Sequence, residues 1–265
     1  MSRQSQSEWV MQMAAGVVRP SRREQRREQT VQEIKALAME QIAAGGPDAV
    51  SLNGIARTMA MSPAAIYRYF ENRDALLADL VVEVYDSLAD AVEAAGRRPG
   101  TPAEQFTEVA SSFRAWALEH PNPYRLIFQT TSGSGQDLAP ERTIPAATRS
   151  MRALLDALIR LAPDPDASNP DAPDPDAPDP DAPNPDAGGQ DRHESRLDEQ
   201  IRAWAERTAI ADLPTRVLAL GLLCWTRLHG VLSLELGHHL ASTGIDPALL
   251  YRAEVDTLIQ QTRQL

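Results

Sequence analysis

Residues 51–77 read SLNGIARTMAMSPAAIYRYFENRDALL and contain two helix-start signals close together. Ser51 is a suitable helix N-cap, because its hydroxyl can accept a hydrogen bond from the first backbone amides of a helix. Ser62 repeats this signal, and Pro63 follows it at the first helical position, where the missing N–H would be unpaired in any case. Two short helices joined by a tight turn near Ala60 are the pattern of a helix-turn-helix.

The two predicted helices each have an apolar side. The first helix repeats apolar residues at helical spacing, at Leu52, Ile55, Ala56 and Met59. The second helix places Ile66 and Phe70 four residues apart, and its other side carries Ala64, Ala65, Tyr67, Arg68 and Tyr69. Small residues let a helix backbone approach base edges in the major groove, whereas hydroxyl and guanidinium groups reach phosphate oxygens. We therefore predict that the second helix contacts double-stranded DNA.

At these positions the sequence resembles the TetR family of bacterial one-component regulators. The residues that carry the resemblance are Ala60, Ser62, Ile66, Tyr67, Tyr69, Phe70, Arg73, Asp74 and Leu76. The resemblance implies phosphate contacts for Tyr67, Tyr69 and Arg73, with Ala64, Ala65 and Arg68 nearer the bases. The predicted DNA-binding set also includes the residues that begin the three expected helices, namely Thr30, Ser51 and Ser62.

Two residues depart from the family pattern. Ala60 stands where the family often has glycine, so a left-handed turn there would cost roughly 1 kcal/mol. Arg73 replaces the commoner lysine, which keeps the charge but changes the contact geometry. Neither departure removes the resemblance.

The segment before this stretch is basic. Arg22, Arg23, Arg26 and Arg27 could extend the first helix, lie as a mobile arm along phosphates, or form a solvated charge run balanced by nearby glutamates. Thr30 can cap the helix that follows, and Gly45, Gly46 and Pro47 end it.

Charge and cysteine content agree with a regulator of this kind. The whole chain has a net charge of −11, but residues 1–75 carry ten basic and eight acidic side chains, so the acidity lies away from the predicted DNA surface. The single cysteine, Cys224, rules out an internal disulfide and fits a reducing cytoplasm. We expect no apolar run of membrane-spanning length, no secretory signal and no membrane partner.

The rest of the chain predicts further amphipathic helices. They are expected over residues 74–95, 102–120, 123–129, 143–161, 197–211, 214–240 and 246–264. Residues 163–187 instead form five units of five residues that repeat proline and aspartate. Such a tract cannot bury apolar surface, so we expect an extended, solvated spacer. A calcium-binding repeat is the alternative, although the tract lacks the glycine turns that would order its aspartates as ligands.

A second resemblance lies near the carboxyl end. Residues 225–236 read WTRLHGVLSLEL and resemble the C-terminal domain of a TetR subgroup named for its Trp, His and Gly, here Trp225, His229 and Gly230. This resemblance implies that the last two long helices form the interface of a homodimer. Gly230 suits a close crossing of helices between two subunits, or close packing inside one subunit.

The helical body is expected to bind a small-molecule effector. The predicted ligand-binding residues are aromatic or aliphatic apart from one histidine: Phe106, Phe113, Trp116, Tyr124, Phe128, Leu154, Trp225 and His229. Core packing is the alternative for each of them. His229 could donate to a bound polar group or bond to a backbone carbonyl in the core.

We also considered an enzyme. Cys224 and His229 lie five residues apart on one predicted helix, so their side chains diverge, and the sequence has no phosphate loop, metal-ligand spacing or nucleophile elbow. We predict no catalytic residue, no cofactor and no metal. A non-catalytic helical protein-interaction module remains the alternative to a DNA-binding regulator.

The sequence therefore predicts an all-α protein with a DNA-binding and a ligand-binding domain. Residues 1–27 are expected to be a flexible basic extension, and residues 28–75 a three-helix DNA-binding domain. Residues 76–265 are expected to form the ligand-binding and dimerisation domain, with a disordered insertion at about 163–192. The family resemblance implies a repressor that binds a palindromic operator as a homodimer and is released by a small molecule.

Overall fold

The computed structural model describes residues 21–129, 139–162 and 187–263. In this part of the chain all regular structure is helical, which confirms the all-α prediction. The α-helices, numbered α1 to α10 in chain order, span Arg22–Gly45, Leu52–Thr58, Pro63–Ile66, Arg73–Gly96, Pro102–Glu119, Pro121–Gln129, Pro140–Leu161, Ala187–Arg207, Thr215–Leu236 and Pro247–Arg263. A short 3-10 helix spans Pro47–Ala49. The chain divides into two compact units, Met1–Leu76 and Leu77–Leu265.

Helix α1 begins earlier than the sequence predicted. Ser21 caps it through a reciprocal pair of bonds, in which the Glu24 amide donates to the Ser21 hydroxyl and the Ser21 amide donates to the Glu24 carboxylate at 2.6 Å. The four arginines therefore extend the first helix, and residues 22–27 do not belong to a flexible extension. Thr30 is not a cap, since it lies inside α1 and its hydroxyl donates to the Arg26 carbonyl at 2.9 Å.

Helices α2 and α3 form the predicted helix-turn-helix. Ser51 caps α2, because its hydroxyl accepts from the Gly54 amide at 3.1 Å. Ser62 precedes α3 but its side chain makes no capping bond, contrary to our expectation. Helix α3 ends at Ile66, and the chain continues as a tight turn in which the Tyr69 amide donates to the Ile66 carbonyl at 2.9 Å.

Ala60 has the left-handed conformation that the sequence suggested, with φ of 53°. Replacing Ala60 with glycine should remove the strain of a Cβ there and stabilise this turn by about 1 kcal/mol. Hydrogen exchange of the amides of α2 and α3 should then slow by about fivefold. The matched control is Ala64→Gly at an exposed position within α3, which should not slow exchange. Equal exchange in Ala60→Gly and the unchanged protein would contradict this account.

The second unit is built around α9. This helix packs against α5, α7, α8 and α10, and α5 also packs against α7. Its packed side carries the fully buried Leu218, Cys224 and Leu232. Burial from several directions explains why α9 is so apolar.

Some boundaries in the second unit differ from the prediction. Helix α8 begins at Ala187, inside the expected insertion at 163–192, and residues 163–186 lie outside the described residues. Helix α9 ends at Leu236, because His238 adopts a left-handed conformation. By length and composition alone α9 is apolar enough to cross a membrane, so our expectation that no segment has these properties was wrong. The contacts of α9 with four other helices explain its apolar composition without a membrane.

Candidate DNA-reading surface and ligand cavity

One face of α3 and the turn after it form an exposed row, which we call the reading surface: Ala64, Ala65, Tyr67, Arg68 and Tyr69. Ile66 and Phe70 are buried on the other side and fix the orientation of this segment. Ala64 and Arg68 are exposed, Tyr67 is 47% exposed, and Ala65 and Tyr69 are half-buried. The segment therefore presents a small-residue start followed by hydrogen-bond donors, as the sequence predicted.

Arg27 supports this surface, although we did not select it from the sequence. Its guanidinium lies 5.3 Å from the centre of the Tyr69 ring and donates to the Arg68 carbonyl at 3.4 Å. The run of arginines can be seen in the sequence. The position of Arg27 beside Tyr69, however, depends on α1 starting at Arg22.

Arg73 has a different environment from the one we predicted. Its Nη2 donates to the Pro47 carbonyl at 2.7 Å and to the Asp48 carboxylate at 3.1 Å, so the side chain ties the start of α4 to the 3-10 helix. These bonds give Arg73 a bracing role within the first unit, and its phosphate contact stays a prediction. Thr30 and Ser51 use their hydroxyls within their own helices, whereas the exposed Ser62 makes no such capping bond.

The second unit contains an apolar cavity of about 230 Å³. It is lined by residues of α4, α5, α6, α7, α8 and α9 and of the turn after α8: Tyr85, Leu88, Val92, Val109, Ala110, Phe113, Phe128, Ile144, Ala147, Thr148, Ser150, Met151, Leu154, Trp204, Thr208, Trp225 and Leu228. Four of the predicted ligand residues are among them, namely Phe113, Phe128, Leu154 and Trp225. Met151 and Trp204 also line the cavity, although we did not select them from the sequence.

The other four predicted ligand residues do not line this cavity. Phe106 is fully buried, and the Trp116 indole donates to the Ser87 hydroxyl at 3.1 Å. The Tyr124 hydroxyl bonds to His229 Nδ1 and to the Ser233 hydroxyl, each at 3.0 Å.

His229 belongs to an aromatic stack beside the cavity. Its ring stacks on Trp225 with centroids 5.2 Å apart and on Tyr124 at 5.5 Å. Its Nδ1 is paired with the Tyr124 hydroxyl and not with a backbone carbonyl, one of the two partners considered for it from the sequence. Burial lowers the pKa of His229.

The lowered pKa of His229 predicts a pH dependence of stability. The unfolded chain binds a proton at His229 near pH 6.5, whereas burial keeps the imidazole neutral in the folded protein to a lower pH. The free energy of unfolding therefore keeps the full contribution of neutral His229 above pH 6.5 and loses it as the pH falls below that value. Urea denaturation between pH 7.5 and 5.5 should show a smaller loss of stability in His229→Asn than in the unchanged protein. An identical loss in both proteins would mean that His229 is not the responsible group.

Next to the cavity lies a second space of about 590 Å³ with charged residues in its lining, which we call the arginine groove. It shares Ile144, Thr148 and Thr208 with the cavity wall. Its lining includes five arginines, namely Arg97, Arg149, Arg152, Arg160 and Arg207, and the acidic residues Glu93 and Asp156. This groove could not be predicted from the sequence, since its arginines come from α7, from the end of α8 and from the residue that follows α4, and the contacts between these segments were not predicted.

The opposite side of α9 is open. A Cβ added to Gly230 would meet no described atom within 4 Å, so close packing inside one subunit, one of our two interpretations of Gly230, is wrong. Leu223 and Leu234 lie on the same side of α9, 55% and 43% exposed. We call these three residues the α9 stripe.

Two family models together match most of the chain. Residues 34–80 match the family described as bacterial regulatory proteins, tetR family, and residues 106–258 match the tetracyclin repressor-like C-terminal domain. The HTH-type transcriptional regulators Rv1816 of Mycobacterium tuberculosis and Mb1846 of Mycobacterium bovis are each 35% identical to this chain over 144 residues. These alignments cover 53% of this chain and only 60% of each relative.

Solved structures extend the similarity to most of the chain. The crystal structure of SCO4313 is 34% identical, with a TM-score of 0.65 over 90% of this chain and 98% of that one. A protein of unknown function from Rhodococcus sp. RHA1 has the same fold at 18% identity, with a TM-score of 0.59 over 93% of this chain and 98% of that one.

A helix-turn-helix unit followed by a helical body defines a one-component regulator. The chain belongs to the TetR family of bacterial regulatory proteins. This assignment confirms the resemblance on which the prediction was based and excludes the enzyme that we considered.

Proposed function

We propose that this protein is a ligand-responsive transcriptional repressor that binds a palindromic DNA operator as a homodimer. The observation that carries the DNA-binding part is the reading surface, where exposed Tyr67 and Arg68 are held by the buried Ile66 and Phe70. The net positive charge of residues 1–75 favours approach to phosphates, and the acidic remainder disfavours indiscriminate binding. Its place of action is the cytoplasm, where the DNA lies.

The proposed homodimer rests on the α9 stripe. A glycine with open space beside it, flanked by two exposed leucines, allows a second helix to approach closely and bury apolar surface. Two-fold symmetry would present two reading surfaces to half-sites about 34 Å apart, so the operator should be palindromic.

Release by an effector would act through α4. This helix begins at Arg73, three residues after Phe70, and contributes Tyr85, Leu88 and Val92 to the cavity wall. A small molecule that fills the cavity would shift α4 and thereby change the spacing of the two reading surfaces.

Tyr67→Phe tests the DNA contact. Selection from random duplex DNA should first yield a palindromic operator, to which the protein binds less tightly as salt rises. Tyr67→Phe should weaken this binding by about fivefold, because one hydrogen bond to a phosphate is worth about 1 kcal/mol. Fluorescence anisotropy measures the affinity, and size-exclusion chromatography should show an unchanged oligomer.

The matched control is Tyr251→Phe on α10, outside α4 and outside the cavity lining, which removes a hydroxyl that donates to the Ala110 carbonyl at 2.8 Å. It should leave operator affinity unchanged. If Tyr67→Phe also binds the operator with full affinity, Tyr67 makes no phosphate contact. If selection yields no preferred sequence, the operator proposal itself fails.

A further inference from the structure

The cavity and the arginine groove share a wall and differ in chemistry. The cavity is lined mostly by aromatic and aliphatic side chains, whereas the lining of the groove includes five arginines and two acidic residues. Ile144, Thr148 and Thr208 line both spaces. A molecule that fitted both would need an apolar body and a polar group at one end.

The groove has more guanidinium groups than its own carboxylates occupy. Arg149 bonds to Glu93 and Asp90, and Arg152 bonds to Asp156 and Asp212. Arg97 pairs with Glu93 at 3.5 Å, a carboxylate that Arg149 already uses. Arg160 bonds only to the neutral Gln105 among the described residues.

Arg207 also faces the groove without an acidic partner in the described part of the chain. It ends α8 immediately before Thr208, one of the three residues shared with the cavity. Arg207 therefore offers positive charge beside the shared wall and Arg160 offers it farther along the groove, and described carboxylates neutralise neither of them. Guanidinium groups recognise carboxylates with paired, directional hydrogen bonds.

We infer that the effector is an organic acid, with an apolar body in the cavity and a carboxylate in the arginine groove. This assignment rests on the proposed function, since it names the chemical class of the effector. The small cavity limits the apolar body, because pockets for drug-sized ligands are usually about 300–1,000 Å³.

The test compares compounds that differ only at one end. Octanoate, octanol and octylamine form one set, and 3-phenylpropanoate, 3-phenylpropanol and 3-phenylpropylamine form a second set with an aromatic body. Titration calorimetry of the full-length protein should show that the better-fitting acid binds at least about tenfold more tightly than its alcohol, and that the amine binds least.

Variants at the groove separate charge from packing. Arg207→Gln should weaken binding of the acid by about fivefold or more, and Arg160→Gln, which lies farther from the shared wall, should weaken it less; both should leave binding of the matched alcohol unchanged. The control is Arg252→Gln, an exposed arginine on α10 outside the lining of both spaces, which should alter neither. Leu154→Trp, which fills the cavity, should weaken the acid and the alcohol together.

The outcomes distinguish two failures. Equal binding of acid and alcohol, or groove variants that leave the acid unaffected, would overturn the organic-acid assignment and leave the ligand-responsive repressor in place. Absence of binding by all six compounds would also overturn it. If an effector found by other means weakens operator binding but is unaffected by Leu154→Trp, the cavity is not the effector site of the proposed repressor.

Discussion

Replacing both Leu223 and Leu234 with glutamate is expected to give a folded monomer that has lost at least about a hundredfold in operator affinity. In the proposed dimer these side chains are buried against the partner, so four carboxylates would have to lose their hydration without compensating cations. Burying each carboxylate costs several kcal/mol, and the sum exceeds the net free energy of association of a helix interface of ordinary size. In the separate subunit the same positions are exposed, so glutamate there should not disturb the fold.

Analytical ultracentrifugation at micromolar protein measures the oligomeric state, and circular dichroism verifies the helical content. The matched control is Leu197→Glu on α8, which is 51% exposed and lies off the α9 stripe. It should leave both the dimer and operator binding intact. A double variant that sediments as a dimer would place the interface elsewhere.

Replacing Gly221 with valine is expected to destabilise the second unit by about 3 kcal/mol. A Cβ at Gly221 would clash with the side chain of Leu155 on α7, and because Leu155 is fully buried in the core, its neighbours would have to repack. Thermal and urea denaturation of the second unit should both detect the loss.

Gly230→Val provides the matched control on the same helix. Gly221 and Gly230 lie nine residues apart and therefore face about 180° away from each other. The Cβ of Gly230 would meet only open space, so this variant should keep the stability of the isolated fold and should instead weaken association of subunits. If Gly221→Val had the same free energy of unfolding as Gly230→Val, α9 would not pack closely on α7 at Gly221.

The sequence predicted the helix-turn-helix well because its signals are local. Ser51, Pro63 and the spacing of Ile66 and Phe70 act within one or two helical turns, and the positive φ of Ala60 followed from one residue in a tight turn. The start of α1 was missed because we chose Thr30 as the cap and gave too little weight to Ser21 and Glu24, which form the capping box.

The cavity could be predicted only in part because it depends on which helices pack together. Phe113, Phe128 and Trp225 could be selected as large aromatic residues, and they line the cavity together with Leu154. Phe106 and Tyr124 have equally suitable side chains, but their helical faces turn into the core. Arg73 shows the same limit, because the family pattern indicated its charge but not its bonds to Pro47 and Asp48.

Helix α9 carries Trp225 and Leu228 in the cavity wall on one side and Gly230 on its open side. If the open side joins two subunits, any compound that shifts α9 alters self-association, and by reciprocity self-association alters the affinity for that compound. Apparent dissociation constants measured at nanomolar and at micromolar protein should then disagree for the same compound. In a cell, the number of copies of the protein would set the dose of inducer to which it responds.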